Sequence, residues 1–166
     1  MERTAFLSEC DTYRYLLTRI WDTSLPIVVF VMLNPSTADG EKDDPTIRRC
    51  IGFAQRWGLG GLAVCNLFAY RATKPKDLAD AYGAGIDIAG PLNRTWVQAL
   101  TGQAHMVVAA WGSSGGTKIQ KLVKEQAQDY LEGINAVCLG RSRNGQPRHP
   151  LMLSYETTVE AWNVLG

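Results

Sequence analysis

The sequence has no long apolar run and no excess of charge of either sign. The longest uninterrupted apolar segment is seven residues, 27–33, whereas a helix that crosses a bilayer needs about 20. Lys and Arg together number 17 and Asp and Glu 16, which leaves a formal net charge of +1. We therefore expect no membrane-spanning helix, and any contact with nucleic acid has to come from a local basic patch.

Cysteine is scarce and scattered. The four cysteines are Cys10, Cys50, Cys65 and Cys138, and no two of them have the close spacing of zinc or redox motifs. This pattern favours free thiols in a reducing compartment over a disulfide framework. The first residues contain no apolar stretch of signal-peptide length. We expect a cytoplasmic protein that uses no metal and no cofactor.

Length and composition indicate one globular domain. The chain has 166 residues, of which 46% are apolar and 20% are charged, and both fractions are close to the globular average. No repeat, low-complexity tract or linker divides the chain. Within this domain we expect a hairpin-like extension over residues 1–24, a core over 27–154 and a C-terminal helix over 155–166.

Short apolar segments alternate with segments of helical periodicity. The apolar segments have the composition of strands that are covered on both faces, and they are residues 27–33, 62–68, 106–111 and 135–139. Helical spacing of apolar residues occurs between them, at residues 45–57, 91–100 and 117–131. This alternation predicts a three-layer α/β/α domain with a short, mainly parallel central sheet.

A polar loop follows each of the four apolar segments. These loops are residues 34–40, 65–73, 111–116 and 140–154, and they contain amide, hydroxyl, imidazole and guanidinium groups. In sheets of this kind, ligands bind outside the carboxyl ends of the strands. We therefore expect the four loops to surround one ligand-binding cleft, without an obvious cysteine or lysine nucleophile.

Four short motifs lie in these loops. They are MLNP at residues 32–35, CNLF at 65–68, Trp-Gly at 111–112 and HPLMLS at 149–154. In this order they resemble the motifs of the uracil-DNA glycosylase superfamily, and most closely those of its mismatch-specific branch. The segment LNPSTAD at 33–39 also resembles a bacterial family of uncharacterised proteins. The resemblance implies the glycosylase fold.

The resemblance also implies an activity and a set of site residues. The activity is hydrolysis of the N-glycosidic bond of a base that has been flipped out of DNA. In the catalytic roles, Asn34 would hold the attacking water and His149 would donate a hydrogen bond to the leaving base. The base-binding residues would be Asn66, Ser36 and Phe68, and the Asn66 carboxamide offers both a donor and an acceptor to a pyrimidine edge.

DNA-binding residues follow from the same resemblance. Leu153 occupies the place of the leucine that enters the duplex as a wedge, and Arg141, Arg143 and Arg148 would contact phosphates. Ser36 stands where the strict uracil enzymes carry a bulky side chain, so we expect poor discrimination against the thymine methyl group. The expected partner is DNA or a nucleotide, with no membrane contact and no obligate protein partner.

The same residues also fit purely structural roles and two other functions. Asn-Pro-Ser at 34–36 suits a simple turn, and Phe68 suits a hydrophobic core. A relative of the same fold that binds nucleic acid or a nucleotide without catalysis would keep the cleft. Asp39, Asp43 and Asp44 form an acidic cluster with the oxygen ligands that magnesium prefers, as in a metal-dependent nucleotide hydrolase, although Asp44 also suits the N-cap of the helix predicted at 45–57.

Overall fold

The scaffold of the chain is a mixed β-sheet. The computed structural model describes residues 1–113 and 116–163. Its strands are β1 (Glu2–Leu7), β2 (Arg14–Ile20), β3 (Ile27–Met32), β4 (Gly61–Asn66), β5 (Met106–Ala109), β6 (Ala136–Cys138) and β7 (Glu160–Trp162). Within the described residues they form one seven-stranded sheet in the order β1-β2-β4-β3-β5-β6-β7.

The centre of the sheet is parallel and its edges are antiparallel. β4, β3, β5 and β6 run parallel to one another. The β1–β2 hairpin joins them through antiparallel pairing of β2 with β4, so residues 1–24 contribute to the sheet itself. The predicted α/β class is confirmed, but the predicted short, mainly parallel sheet is wrong, because the described strands form three parallel and three antiparallel pairs.

Four helices connect the strands in the described part of the chain. They are α1 (Pro45–Arg56), α2 (Pro75–Gly83), α3 (Asn93–Gln103) and α4 (Gly116–Tyr130), and a short 3-10 helix follows at Pro150–Met152. The helix predicted at 45–57 is confirmed, with Asp44 as its N-cap accepting from the Ile47 backbone N–H. None of these helices combines the length and apolar composition that spanning a membrane requires.

Both faces of the sheet are covered. Alternate residues of β3 point to opposite sides, with Val29 and Val31 in one hydrophobic cluster and Phe30 in the other. The first cluster includes buried side chains of α2, α3 and α4, and the second includes those of α1. β3 therefore lies at the centre of a core with helices on either side.

The C-terminal segment does not match its prediction. A helix was predicted over residues 155–166, but residues 160–162 form β7, which pairs antiparallel with β6. Trp162 packs edge-on against the buried ring of Trp111, with 5.4 Å between ring centroids. Pairing with β6 and this aromatic contact outweigh the local preference of the segment. Residues 164–166 of the predicted helix lie outside the described part of the chain.

Candidate functional site

The carboxyl ends of the four parallel strands surround a cavity of about 560 Å³. Asn34 follows β3, Asn66 ends β4, Trp111 follows β5 and His149 lies in the loop after β6, and all four residues line this cavity. The connection from β3 leads to α1 on one face of the sheet, whereas that from β5 leads to α4 on the other. The cavity thus lies where the connections diverge, which is the usual position of ligand sites in α/β sheets.

Asn66 is the most unusual polar group in the cavity wall. Its side chain is buried, with the residue only 1% exposed, and neither Nδ2 nor Oδ1 has a hydrogen-bond partner within the described chain. Leaving a buried donor or acceptor unpaired costs about 1–3 kcal/mol, and such groups are rare without a functional reason. Asn66 therefore lines the cavity and carries a donor and an acceptor that have no partner in the described chain.

The two polar atoms of the Asn34 side chain differ, since its nitrogen donates hydrogen bonds and its oxygen accepts none from the described residues. Nδ2 donates to the carbonyl oxygens of Ala72 at 2.8 Å and Pro35 at 3.1 Å. These bonds fix the orientation of the carboxamide, and its Oδ1 accepts no hydrogen bond within the described residues. Because Asn34 lines the cavity, this oxygen is available to accept from a water or a ligand.

His149 is oriented by its own loop. Its Nδ1 accepts a hydrogen bond from the Leu151 backbone N–H at 3.2 Å. In the neutral imidazole this places the proton on Nε2, which then acts as a donor. Burial lowers the pKa of His149, and the Asp44 carboxylate opposes that shift. The ring is therefore neutral at neutral pH, with a single donor available for a ligand.

Arg14 is a site residue that no sequence motif identified. It lines the cavity, is only 3% exposed, and donates from Nη1 to the Ala38 carbonyl oxygen at 2.7 Å. Its Nε has no partner in the described chain. Burial lowers the pKa of Arg14 to about 10, although the Asp44 carboxylate raises it, so the guanidinium remains charged at neutral pH. The sequence signal was an arginine beginning a strand segment, RYLLTRI, that is otherwise largely apolar.

The carboxylates of Asp39, Asp43 and Asp44 do not come together at one ligand site. Asp43 accepts from Arg19 at 2.7 Å and from Arg3 at 2.9 Å, and Asp39 accepts from two backbone N–H groups of its own loop. Only Asp44 lines the cavity, where it also caps α1. No group of three metal-ligating side chains suited to an ion occurs among the residues that the structure describes.

Of the two other predicted base-binding residues, one lines the cavity and the other does not. Ser36 lines the cavity together with Asn34, Asn66 and His149. Phe68 does not, since it is fully buried in the hydrophobic cluster on the α2–α4 side of the sheet. The wall instead includes Trp111, whose indole Nε1 donates to Gln146 Oε1 at 2.9 Å.

The predicted DNA-binding residues lie away from the cavity wall. Leu153 is buried in the cluster on the α1 side of the sheet, so its side chain does not project as a wedge would. Arg141 stacks on the Trp162 ring, with 4.6 Å from Cζ to the centroid. Arg143 and Arg148 are exposed on the same loop.

A different surface lies beside the 3-10 helix. Met152 in that helix is 88% exposed, and the helix packs against α1. On α1 the guanidinium groups of Arg49 and Arg56 lie over the Tyr155 ring, at 4.5 and 5.0 Å from its centroid. An exposed apolar side chain thus lies on a short helix that packs against α1 and whose Leu151 lines the cavity, a combination that the motifs did not predict.

Comparison with known proteins gives the chain a family. No curated protein and no solved structure was found to match it. A family model matches residues 14–151, a range that includes the strands of the parallel sheet and every cavity residue discussed above. The chain therefore belongs to the family described as "Protein of unknown function (DUF1643)".

Proposed function

We propose that the cavity binds a nucleobase flipped out of DNA and that the chain hydrolyses the N-glycosidic bond of that base. The observation that carries this proposal is Asn66, a buried carboxamide with both polar atoms unpaired at the wall of the cavity. A nucleobase edge presents adjacent donors and acceptors, and a single carboxamide can bind one of each. A bound base would satisfy the hydrogen bonds that the free protein leaves unmade.

A uracil-DNA glycosylase-like fold is part of the same proposal. Four parallel strands in the order β4-β3-β5-β6 each deliver a loop to one cavity. Asn34, Asn66 and His149, which the resemblance assigned to catalysis and base binding, all line it. This common location supports the proposal, because the base and the attacking water have to be held in one place for the reaction to occur.

The groups in the cavity suit the hydrolysis chemically. As the bond between the base nitrogen and the sugar C1′ breaks, its electron pair passes to the base, and the oxygen of a water bonds to C1′. His149 Nε2–H donates to the base, where negative charge develops, and a neutral imidazole suffices for this stabilisation. Asn34 Oδ1 accepts from the attacking water and orients it, but an amide does not take its proton.

In the proposed reaction, the carboxylate of Asp44 takes that proton. Its carboxylate lies in the cavity wall, and only one of its oxygens is needed to cap α1 through the Ile47 N–H. The carboxylate is also close enough to His149 to raise the pKa of that residue. These observations support Asp44 as the proposed base, a role that the Asn34 amide cannot perform.

Incubation with duplexes that carry uracil, mismatched thymine or damaged bases, in the presence of EDTA, tests the proposal. The expected result is an abasic product that forms without divalent metal. His149→Ala should slow its formation by about 100-fold, the usual contribution of a positioned proton donor. His105→Ala removes an exposed imidazole outside the cavity wall and should leave the rate unchanged.

Asp44→Asn separates the chemical role of Asp44 from its structural role. Asparagine caps helices as well as aspartate does, so the variant should unfold at the same denaturant concentration as the wild type while losing about 100-fold in rate. DNA binding without an abasic product on any substrate would identify a non-catalytic relative. Release of phosphate from nucleotides that EDTA abolishes would identify the metal-dependent hydrolase.

A further inference from the structure

A second cavity, of about 1000 Å³, lies at the opposite end of the parallel strands from the candidate site. Its wall consists of the second half of α4, the loop over residues 131–135 and parts of β6 and β7. Ala136, which begins β6 and is paired with Trp162, lies in this wall, so the cavity lies at the amino end of a parallel strand. The candidate site lies at the carboxyl ends, and the two cavities share no described lining residue.

One buried polar group in the wall of the second cavity has no partner. Trp162 is 9% exposed, and its indole Nε1 makes no hydrogen bond within the described residues. The indole N–H is a donor only, and a buried tryptophan usually finds an acceptor for it. Trp111, which packs edge-on against Trp162, does so, since its Nε1 donates to Gln146 Oε1. Trp162 therefore lacks an acceptor that a ligand of this cavity can supply.

The charged residues in the described wall of the second cavity are all acidic. They are Glu125, Asp129 and Glu132, and the described wall contains no Lys, Arg or His. Glu132 makes no ion pair in the described chain. Asp129 pairs with Arg94 at 2.9 Å and Glu125 pairs with Lys121 at 3.7 Å, but all four side chains are 41% exposed or more. Exposed pairs of this kind contribute about 1 kcal/mol or less, so the negative charge of the wall is available to a cationic ligand.

A ligand has to match three features of this wall. The carboxylates do not form a metal site, since no group of three metal-ligating side chains suited to an ion occurs in the described chain. Their charge attracts a cationic group and repels the phosphates of a nucleic acid. Leu131, Ile134 and Val137 add apolar side chains, and Trp162 requires an acceptor. A peptide in which Lys or Arg stands beside aliphatic residues offers the cation, the apolar surface and, in its backbone carbonyls, the acceptor.

The position of β7 favours an extended peptide over a small free cation. β7 is the last strand of the sheet and pairs only with β6 among the described strands. It also contributes Trp162 to the cavity wall. An extended chain that runs along such an outer strand presents alternate side chains to a cavity on one face of the sheet.

We propose that the second cavity binds a basic, partly aliphatic segment of another protein in an extended conformation. A Lys or Arg side chain of that segment lies against the carboxylates of Glu125 and Glu132, and one of its backbone carbonyls accepts from Trp162 Nε1. This interaction goes beyond the function proposed above and does not depend on it, because it uses a different end of the sheet and different residues.

Titration of the intact chain with synthetic peptides tests the inference. The probe is the acetylated and amidated peptide Leu-Lys-Val-Arg-Leu, and the control peptide has Glu in place of both Lys and Arg. The measurement is the indole N–H signal of Trp162 in an isotope-labelled chain, identified by sequential assignment of the NMR spectrum. The basic peptide should move this signal downfield until it saturates, as expected for an N–H that gains an acceptor, and the acidic peptide should not move it.

Two variants should weaken binding of a fluorescent derivative of the basic peptide, measured by anisotropy. Glu125→Gln combined with Glu132→Gln removes two charges and should weaken binding about five- to thirtyfold, an effect that high salt should largely remove. Trp162→Phe keeps a ring but removes the donor, and should weaken binding about two- to tenfold. Glu9→Gln removes an exposed carboxylate outside the cavity wall and should leave the affinity unchanged. Thermal unfolding establishes that each variant is folded, and the double glutamine variant alone suffices if Trp162→Phe is not.

Four results would overturn the inference. They are a Trp162 signal that the basic peptide does not move, equal affinity for the basic and acidic peptides, equal affinity of the double glutamine variant and Glu9→Gln for the basic peptide, and a Trp162 signal that moves with protein concentration alone as a dimer forms in sedimentation. The last result would assign the cavity to a second copy of the chain. Peptide binding without any abasic product from DNA would leave this inference standing and remove the proposed catalysis, and the opposite pair of results would do the reverse.

Discussion

The Nε of Arg19 donates to Oδ1 of Asp43 at 2.7 Å, and this bond joins β2 to the loop that precedes α1. The Arg19 side chain has no exposed surface, whereas that of Asp43 is 14% exposed. The loop in question, residues 34–44, supplies Asn34, Ser36 and Asp44 to the cavity. A buried ion pair outside the cavity therefore holds one of its walls in place.

Asp43→Ala should destabilise the fold. It leaves the Arg19 charge buried without its carboxylate, and removing one partner of a buried pair costs about 3–5 kcal/mol. We expect a loss near 3 kcal/mol because Arg19 keeps its bonds to backbone carbonyls. Urea denaturation followed by circular dichroism measures the change.

Glu41→Ala is the matched control, since it removes an exposed carboxylate from the same loop. Its effect should stay within about 0.5 kcal/mol, as for most surface substitutions. If Asp43→Ala were as stable as Glu41→Ala, the ion pair with Arg19 would not anchor the loop.

Asn66 and Asn93 should respond in opposite directions to replacement by leucine. Both are buried, but Asn93 Nδ2 donates to the backbone oxygens of Asn66 at 2.9 Å and Leu67 at 3.1 Å. Asn93→Leu removes the donor from both oxygens, of which that of Leu67 keeps a second donor in Gln126 Nε2, and should cost about 1–3 kcal/mol. Asn66→Leu removes two atoms that have no partner in the described chain, so it should be neutral or stabilising while abolishing base binding.

Denaturant unfolding and titration with uracil measure both effects. A loss of stability in Asn66→Leu comparable to that in Asn93→Leu would mean that the Asn66 carboxamide has a structural partner, such as bound water, and that it is not held ready for a ligand.

The parts of the fold that could be predicted are those with strong local patterns. The apolar segment at 27–33 marks β3 because strands buried on both faces lack alternation, and Asp44 with Pro45 marks the start of α1. β7 could not be predicted in this way. Its three residues owe their conformation to β6 and to the contact between Trp162 and Trp111, neither of which is local in sequence.

The candidate site likewise has residues that the sequence predicts and one that it does not. Asn34, Asn66 and His149 each follow a buried strand in sequence, so the rule that parallel strands end at one edge was enough to bring them together. Arg14 precedes the parallel strands and reaches the cavity only because β2 pairs antiparallel with β4. That pairing has no signature in the sequence, so the apolar segment around Arg14 indicates a strand but not its place beside the cavity.

His149 should make the stability of the fold depend on pH. Burial lowers the pKa of His149 below its ordinary value of 6.5, so the unfolded chain binds the proton more tightly than the folded one. Stability should therefore fall as the pH drops through 6.5 and stop falling below the pKa of the folded state. Urea midpoints between pH 5 and 8 measure this slope.

His149→Asn is the control for that slope. The asparagine oxygen can accept the Leu151 N–H in place of Nδ1 but does not titrate, so the variant should lose the part of the slope that lies just below pH 6.5. An identical pH profile in the two proteins would show that the His149 pKa is the same in the folded and unfolded chains.

Met152, and not Leu153, should act as the wedge that the motif resemblance assigns to Leu153. Leu153 packs in the α1-side core, so Leu153→Ala should cost about 2–5 kcal/mol. Met152 is 88% exposed on the 3-10 helix that packs against α1, so Met152→Ala should change stability by less than about 0.5 kcal/mol. It should nevertheless weaken binding to duplex DNA several-fold, since an exposed apolar side chain can enter between bases that unstack.

Fluorescence anisotropy with a labelled duplex measures the affinity, and Val159→Ala, which truncates another exposed apolar side chain, is the control. Unchanged affinity in Met152→Ala would leave the protein without a wedge at this turn, because a side chain buried as Leu153 is cannot reach the duplex without unfolding the 3-10 helix from α1.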